Sequence, residues 1–286
     1  MNFLIIQEAG RHPENARWRE CLSMQRALEA QGHGVDVWGL GYTEPPWSIE
    51  IYRSFDVIVQ LEEYDQSDWL PNLSSASAFK VMWARDTHCK GPGYHRKMHQ
   101  RDGYDLILQS TPSLVGAISD KDVWFPNCYD AELCYVHGYE FRKWRIGFCG
   151  NVLNRDTHLL ALRGGYQEHL TIDKMVLGLA MRDAVASYKV HFNRNISTDI
   201  NYRNFETIGC GTALLVENNN PQAYAHLGFK DEENVVYYTG LDDLIERAEY
   251  AIEHWERIGK AGLELAKRHT YDQRCKEMVE LIKGEM

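Results

Sequence analysis

The chain has 286 residues, more than one average domain, so two domains of roughly 130 to 150 residues are the first expectation. Hydrophobic residues make up 44% and charged residues 25%, an ordinary composition for a globular protein that argues against a disordered chain. The net charge of -10 disfavours broad electrostatic attachment to nucleic acid or anionic membranes, because the summed field repels phosphate.

The N-terminal stretch carries no basic leader, and its apolar run, Phe3 to Ile6, is far shorter than a signal or membrane segment. We therefore expect a cytoplasmic protein without a membrane span. The seven cysteines include no C-x-x-C pair, which indicates reduced thiols rather than a disulfide framework or a zinc ribbon.

Short apolar runs bounded by turn residues recur in the first half and predict buried parallel strands. They are residues 2–6, 35–38, 56–60, 79–83 and 105–108. Apolar residues at helical spacing lie between the first two runs and stop at Gly32 and Gly34. This strand, helix, strand unit predicts an open α/β sheet of Rossmann type, with ligands beyond the carboxyl ends of the strands.

The same pattern restarts at residues 145–151, RIGFCGN. Further strands are predicted at 189–192, 212–216 and 235–238, helices near 173–187, 201–209 and 241–257, and a polar helical tail at 258–284. We therefore predict two Rossmann-like domains, 1–142 and 143–286, that face each other across a cleft.

The turn after the first strand reads QEAGRHP, without the G-x-G-x-x-G of dinucleotide-binding proteins, and no Walker lysine loop occurs. A dinucleotide oxidoreductase and an ATP-driven enzyme are therefore disfavoured.

Residues 199–216, DINYRNFETIGCGTALLV, predict a helix that runs into a buried strand. Arg203 and Glu206 are three residues apart and share one face of that helix. An arginine binds a pyrophosphate, a carboxylate accepts the two hydroxyls of a ribose, and a helix N-terminus suits phosphate. The pair therefore suits a nucleoside diphosphate; the alternative is a surface ion pair, which contributes little.

The segment 187–217 resembles the donor-site signature of GT-B-fold glycosyltransferases, especially the CgeB-like members of glycosyltransferase group 1. The segments 146–151, IGFCGN, and 269–278, HTYDQRCKEM, extend the resemblance over most of residues 145–280. It implies a GT-B fold and transfer of a sugar from a nucleotide-diphosphate sugar, with a UDP-sugar the expected donor and no cofactor or metal.

Carried over by position, the resemblance implies that Glu206 binds the ribose, Arg203 the diphosphate, and Arg155 the phosphates from the first loop of the second domain. An exposed loop arginine is the structural alternative for Arg155. Thr198 stands where retaining group 1 enzymes usually have a glutamate. The stereochemistry therefore stays open, with inversion slightly preferred.

In the first half, Asp86 follows the predicted strand 79–83 at its carboxyl end and is the candidate catalytic base. The arrangement resembles, more weakly and locally, that of the DNA β-glucosyltransferases of T-even phages. His88 competes for the role because imidazole titrates near neutrality. The structural alternatives are an N-cap or turn aspartate and a loop histidine.

Glu8, Gly10 and Arg11 follow the first strand and are predicted to contact the acceptor or the sugar, although the start of a helix accounts for part of this loop. Asp86, His88, Cys89, His95 and His99 fit no standard zinc signature, so we expect no metal site. The basic island at 85–101 predicts an anionic acceptor or donor phosphates, or else a solvated loop.

The acceptor is left open among a saccharide, a small molecule, a protein and a modified DNA base, and so is the oligomeric state. The first alternative function is a phage-type enzyme that glycosylates hydroxymethylated DNA bases. The second is a non-catalytic nucleotide-binding protein on a degenerate transferase fold, an alternative that Thr198 keeps open.

Overall fold

A computed structural model describes residues 1–9, 12–42, 53–61, 69–136, 138–166 and 168–286 of the chain. It divides into two compact units. Unit 1 comprises Met1–Pro126 and Tyr271–Met286, and unit 2 comprises Asn127–Thr270. Unit 2 thus begins earlier in the chain than the predicted boundary after residue 142. The C-terminal helix belongs to unit 1 rather than to the half that precedes it in sequence.

Unit 1 is built on a parallel sheet whose described strands lie in the order β2-β1-β3-β4-β5-β6. The strands are β1 Asn2–Ile6, β2 Gly34–Trp38, β3 Val57–Leu61, β4 Phe79–Ala84, β5 Leu106–Gln109 and β6 Asp122–Trp124. The helices are α1 Glu20–Ala30, α2 Thr87–Lys90 and α3 Pro92–Asp102, with 3-10 turns at Pro13–Trp18 and Pro112–Leu114. Every residue of β3 is buried, which explains why all of them except Gln60 are apolar.

Unit 2 contains a second parallel sheet, with its described strands in the order β11-β10-β9-β7-β8. The strands are β7 Trp144–Cys149, β8 Leu170–Asp173, β9 Tyr188–Asn193, β10 Ala213–Glu217 and β11 Val236–Tyr238. The helices are α4 Asp156–Tyr166, α5 Gly178–Ser187, α6 Tyr202–Gly209, α7 Pro221–His226 and α8 Leu241–Ala266, with a 3-10 turn at Tyr139–Phe141. Apolar residues of β7, β9, β10 and β11 pack against α4 and α8 to form the core of this unit.

The last helix, α9 Tyr271–Glu285, returns to unit 1 and packs on α1. The Tyr271 ring meets the Trp83 ring edge-on with centroids 6.5 Å apart, and the Gln31 side chain donates to the Asp272 carbonyl at 3.0 Å. Helices α8 and α9 confirm that most of the predicted tail, residues 258–284, is helical. It is not polar throughout, because α9 buries Cys275 and Met278 among others.

Several predicted element bounds differ from the structure. The predicted helix 173–187 begins only at Gly178, because β8 precedes it as a half-buried edge strand with little apolar signal. The predicted helix 241–257 continues to Ala266 as one 26-residue helix. The sequence pattern predicts no helix at the positions of α2, α3, α4 and α7.

Each sheet has a position at which the strand order reverses. In unit 1 it lies between β1 and β3, and in unit 2 between β7 and β9. Ligands of open α/β sheets bind beyond the carboxyl ends of the strands at such a reversal. Among the described residues, no helix is long and apolar enough to cross a bilayer.

Candidate functional site

The carboxyl ends of β7 and β9 in unit 2 carry the residues that the sequence predicts to bind a donor nucleotide. Strand β7 ends at Cys149 and leads through a loop to Arg155, directly before α4. Strand β9 ends at Asn193 and leads to α6, whose N-cap residue is Asn201. Two loops and one helix N-terminus therefore meet at the reversal point of the sheet.

His191 on β9 connects these elements by hydrogen bonds. The main-chain N–H of Cys149 donates to His191 Nε2 at 3.1 Å, so this nitrogen is the unprotonated one. His191 Nδ1–H then donates to Thr207 Oγ1 at 2.7 Å, and the Thr207 hydroxyl donates to the Arg203 carbonyl at 2.6 Å. The end of β7 is thereby tied to the first turns of α6.

The His191 ring is fully buried. Burial, followed by the charges of Arg203 and Arg155, holds the pKa of His191 well below its ordinary value. A neutral imidazole can act as donor at one nitrogen and acceptor at the other, as this chain of bonds requires.

Four asparagines within 193–204 hold the loop that precedes α6. Asn193 Nδ2 donates to the side-chain oxygens of Asn201 and Asn204, both at 3.1 Å. Asn204 Nδ2 donates to Asn195 Oδ1 at 2.8 Å, and Asn195 Nδ2 donates to the Tyr224 hydroxyl at 2.7 Å. A polar network of this completeness rigidifies the segment it joins.

Thr198 lies on this same loop, and its carbonyl accepts a hydrogen bond from Asn220 Nδ2 at 2.9 Å. The neighbouring Ser197 carbonyl accepts from Asn219 Nδ2 at 2.6 Å. The residues after β10 therefore fix the loop after β9.

Arg203 and Glu206 form an ion pair on one face of α6, with 2.9 Å between Nη1 and Oε2. Their side chains are 19% and 18% exposed, against 63% and 69% for the solvated pair of Lys267 and Glu264. Although burial alone would lower the pKa of Arg203, the Glu206 carboxylate raises it above its ordinary value. The pair is thus largely enclosed, and Gly211, in a left-handed conformation with φ of 64°, turns the chain from α6 into β10.

Arg155 is buried, with 7% of its surface exposed. Its Nε donates to the Arg194 carbonyl at 2.9 Å, and its Nη1 donates to the carbonyls of Asn151 and Leu153 at 2.9 and 3.3 Å. Within the described chain, Arg155 has no carboxylate partner, in contrast to Arg194, whose Nε lies 2.7 Å from Glu217 Oε2. The exposed loop arginine considered as the alternative does not describe this side chain.

Two further guanidiniums, those of Arg194 and Arg203, lie near Arg155, and each is paired with a carboxylate. Burial, followed by the nearby guanidinium of Arg194 and then that of Arg203, lowers the pKa of Arg155 from its ordinary value. The Asp199 carboxylate acts in the opposite direction but forms no salt bridge with Arg155 among the described residues. A buried guanidinium held by carbonyls in this way suits an anion. The chemistry that this arrangement suits is the binding of a phosphate or diphosphate.

In unit 1, Asp86 is exposed and is the N-cap residue of α2, just beyond β4. Its carbonyl accepts the N–H groups of Cys89 and Lys90 at 2.8 and 3.1 Å, as an N-cap carbonyl does. His88 lies in the same short helix, half-buried, and its Nδ1 has no hydrogen-bond partner among the described residues. Both candidates for the catalytic base therefore lie at the carboxyl end of β4, as predicted.

The residues that follow β1 are described only in part. Glu8 is buried, with 3% of its surface exposed. Gly10 and Arg11 lie outside the described residues.

His95 and His99 lie on α3, whereas His88 and Cys89 lie on α2, and Gly91 separates the two helices. In the described ranges, no group of three or more histidine, cysteine, aspartate or glutamate side chains is arranged to hold a metal ion. Asp120-Lys121-Asp122 has the D-x-D spacing of metal-dependent sugar transferases. The Asp122 carboxylate instead accepts the N–H groups of Ile118 and Ser119 at 3.0 and 3.1 Å, which is the role of a turn residue.

Sequence reasoning missed His191, Arg194 and the asparagine network. The density of asparagine in 193–204 is the signal that could have found the network. His191 stands inside a strand and carries no sequence signal of its own.

The model of the family described as glycosyl transferase-like matches residues 136–280, half of the chain. The chain belongs to this glycosyl transferase-like family. The match contains Arg155, Arg203 and Glu206, which the sequence predicts to bind a donor nucleotide.

Solved structures of glycosyltransferases resemble the whole chain. The Anabaena protein HepE in complex with UDP superposes with a TM-score of 0.65 at 10% identity, covering 99% of this chain and 100% of that one. An alpha-glucosyltransferase in complex with UDP and a 13-mer DNA gives 0.67 at 10% identity, covering 99% of each chain. Sucrose-phosphate synthase from Thermosynechococcus elongatus gives 0.62 at 10% identity, again covering 99% of each. No curated protein sequence matches this chain.

These likenesses confirm the predicted α/β GT-B fold. The family match confirms the predicted class of enzyme, a glycosyltransferase. The narrower CgeB-like assignment and the local likeness to the DNA β-glucosyltransferases of T-even phages stay predictions.

Proposed function

We propose that the protein transfers a sugar from a nucleotide-diphosphate sugar, specifically a UDP-sugar, to an acceptor hydroxyl. The observation that carries the proposal is Arg155, a buried guanidinium without a carboxylate partner among the described residues, at the reversal point of the second sheet. The complexes of HepE with UDP and with UDP-glucose support the choice of nucleotide, since that protein shares the fold.

In this proposal Arg155 and Arg203 bind the diphosphate, and Glu206 accepts the hydroxyls of the ribose. The Arg203–Glu206 ion pair, at 2.9 Å, opens when the donor enters. Arg203 then exchanges a carboxylate for a phosphate, and Glu206 exchanges a guanidinium for two hydroxyls. Neither charge is left without a partner, which favours the exchange. We propose that unit 2 has the donor-binding role predicted for residues 143–286.

The proposed reaction is a single displacement at the anomeric carbon of the sugar. The acceptor hydroxyl attacks as Asp86 takes its proton, with His88 the competing base. The bond to the nucleoside diphosphate breaks, and the two guanidiniums stabilise the charge that develops on the leaving group. Guanidinium stabilisation supports a metal-independent and cofactor-independent reaction. A single displacement inverts the configuration, in accord with Thr198 at the position of the usual retaining glutamate.

Release of UDP from UDP-glucose, with a panel of acceptors, tests the proposal. We expect turnover by the wild type, a rise in the KM for UDP-glucose in Glu206→Ala, and a fall in kcat of about 10²-fold or more in Asp86→Ala. Glu264→Ala removes a solvated i,i+3 partner and is the matched control. Undiminished turnover in Asp86→Ala would refute the assignment of the base.

A second candidate acceptor is a hydroxymethylated base in duplex DNA. It is favoured by α3, which exposes Arg96, Lys97 and Arg101, and by the DNA complex of the similar alpha-glucosyltransferase. Contacts to phosphate make binding steeply salt-dependent. Weak, salt-sensitive binding of a hydroxymethylated 13-mer duplex favours this acceptor, and absence of binding at low salt contradicts it. Binding of UDP without turnover of any donor would instead indicate a non-catalytic nucleotide-binding protein.

Contacts of Glu8, Gly10 and Arg11 with the acceptor or the sugar belong to the same proposal. Gly10 and Arg11 lie outside the described residues, whereas Glu8 lies within them.

A further inference from the structure

Glu8 is fixed at the carboxyl end of β1, beside the reversal point of the first sheet. The pairing with β2 continues past the strand, as Gln7 N–H donates to the Trp38 carbonyl at 2.9 Å and Ala9 N–H to the Leu40 carbonyl at 2.8 Å. A Cβ added to Gly39 would lie 1.9 Å from the Gln7 carbonyl oxygen, so the two backbones are in close contact. The main chain around Glu8 therefore has little freedom.

One oxygen of the Glu8 carboxyl group is enclosed without a hydrogen-bond partner among the described residues. The residue is 3% exposed, and Oε1 is buried and forms no hydrogen bond within the described residues. A buried acceptor without a hydrogen bond lowers the stability of the fold. Its presence therefore indicates a role other than stabilising the fold.

Both polar atoms of the Gln7 side chain, next to Glu8 in the chain, form hydrogen bonds. Its Nε2 donates to Glu20 Oε2 at 2.8 Å, and its Oε1 accepts the N–H of Cys21 at 2.9 Å. Successive side chains of an extended strand alternate between the faces of the sheet. Gln7 therefore faces α1, and Glu8 faces the opposite side.

The surroundings of Glu8 suit a hydroxyl as its ligand. Arg19 Nε donates to the Glu8 carbonyl at 3.2 Å, so a guanidinium already adjoins this residue. Arg19 and Arg85 both pair with Glu20, at 3.3 and 2.5 Å. These pairs lie on the side of α1, and among the described residues no group of three or more acidic, histidine or cysteine side chains is arranged to hold a metal ion. A hydroxyl supplies the donor that Glu8 Oε1 lacks.

Two indole rings lie on the same face of the sheet as Glu8. Trp38 and Trp69 pack against the core cluster that includes Leu4 and Ile6, the residues four and two positions before Glu8. The two rings meet edge-on with centroids 5.8 Å apart. Trp69 Nε1 is buried, and it has no acceptor in the part of the chain that the structure describes.

We propose that Glu8 and Trp69 bind the hydroxyl groups of a neutral saccharide that serves as the acceptor. The hydroxyls donate to the Glu8 carboxylate and accept from the Trp69 indole, and the apolar indole faces suit the C–H face of a sugar ring. This inference rests on the proposed glycosyl transfer and names its acceptor. A duplex DNA acceptor is disfavoured, because Glu8 would add a buried negative charge beside its phosphates.

The experiment measures two quantities in the wild type, Glu8→Gln, Trp69→Phe and the control Glu14→Gln, in which an exposed glutamate changes. One is the unfolding temperature without ligand. The other is the affinity, by calorimetry in the presence of UDP, for p-nitrophenyl glycosides of glucose, galactose, mannose and N-acetylglucosamine, with a hydroxymethylated 13-mer duplex as the competing class.

A role in binding predicts that Glu8→Gln unfolds at the same or a higher temperature than the wild type, because no native hydrogen bond is lost. It also predicts that Glu8→Gln binds the preferred glycoside at least about tenfold more weakly, that Trp69→Phe weakens it less, and that Glu14→Gln leaves it unchanged.

Four results would overturn the inference: a lower unfolding temperature in Glu8→Gln, unchanged glycoside affinity in that variant, no glycoside binding by the wild type, or binding of the duplex alone. Stabilisation by UDP reports the site in unit 2 separately. If UDP stabilises the wild type but not Glu206→Ala while any of these results appears, the acceptor inference fails and the donor proposal stands.

Discussion

Glu20 connects the carboxyl ends of β1 and β4, because it accepts a hydrogen bond from Gln7, just after β1, and pairs with Arg85, just after β4. It also pairs with Arg19. The variant Glu20→Gln tests this role. Burial alone would raise the pKa of Glu20, but the two arginines outweigh it and lower the pKa from 4.5 to about 2. At 1.36 kcal/mol per pKa unit, the lowered pKa corresponds to about 3 kcal/mol of stability.

The sign follows from the direction of the shift. A carboxylate whose folded pKa is depressed contributes its full stability above the unfolded pKa of 4.5, and loses it as the pH falls through the folded pKa of about 2. We therefore expect Glu20→Gln to lower the free energy of unfolding of unit 1 by about 3 kcal/mol at pH 7, and by roughly half as much at pH 3.

Urea unfolding at pH 7, 5, 4 and 3, with Glu14→Gln as the control, measures the difference. A Glu20→Gln variant as stable as the wild type at pH 7 would show that the ion pairs contribute nothing. If the difference in free energy of unfolding between the wild type and Glu20→Gln stays constant down to pH 3, the lost stability comes from packing rather than from charge.

Three further predictions concern single side chains. Glu206→Gln removes a charged acceptor from the proposed ribose site and should weaken UDP binding by about 10- to 100-fold in calorimetry, with Glu264→Gln unchanged. Burial, followed by the charges of Arg203 and Arg155, lowers the pKa of His191. Below pH 6.5 the His191 imidazole therefore binds a proton in the unfolded state but not in the folded state. The wild type should therefore lose stability between pH 7 and pH 5, and His191→Gln should show a shallower loss in urea titrations. Burial also lowers the pKa of His95 to about 4, and neither of its ring nitrogens has a partner among the described residues. His95→Leu should thus raise the free energy of unfolding at pH 7 by about 1 kcal/mol, and a loss of stability would contradict this reading.

The buried strands were the most predictable part of the fold. Strands β1, β3 and β4 are mostly apolar because both faces are covered, and that pattern is visible without a structure. Strand β8 is half-buried at an edge of its sheet and shows no such pattern. The path of α9 into unit 1 depends on contacts between distant parts of the chain, with Gln31 and Trp83, which no local pattern encodes.

The candidate site likewise has features that the sequence predicts and features that it does not. Arg203 and Glu206 share a helical face by spacing alone, so their pairing was accessible to sequence reasoning. Among the described residues, Arg155 has no carboxylate partner and Glu8 Oε1 has no hydrogen-bond partner, and both facts depend on what surrounds each group in three dimensions. A residue's lack of a partner is a property of the fold, and no motif reports it.

The central claim is that a nucleoside diphosphate binds unit 2 at the carboxyl ends of β7 and β9, and thermal unfolding with UDP tests it most directly. At a UDP concentration of about 100 times Kd, binding stabilises the folded state by about 2.7 kcal/mol, which raises the unfolding temperature by roughly 5 to 10 °C. We predict this rise in the wild type and its loss in Glu206→Ala. No rise with any nucleoside diphosphate, or an equal rise in the variant, would contradict the account.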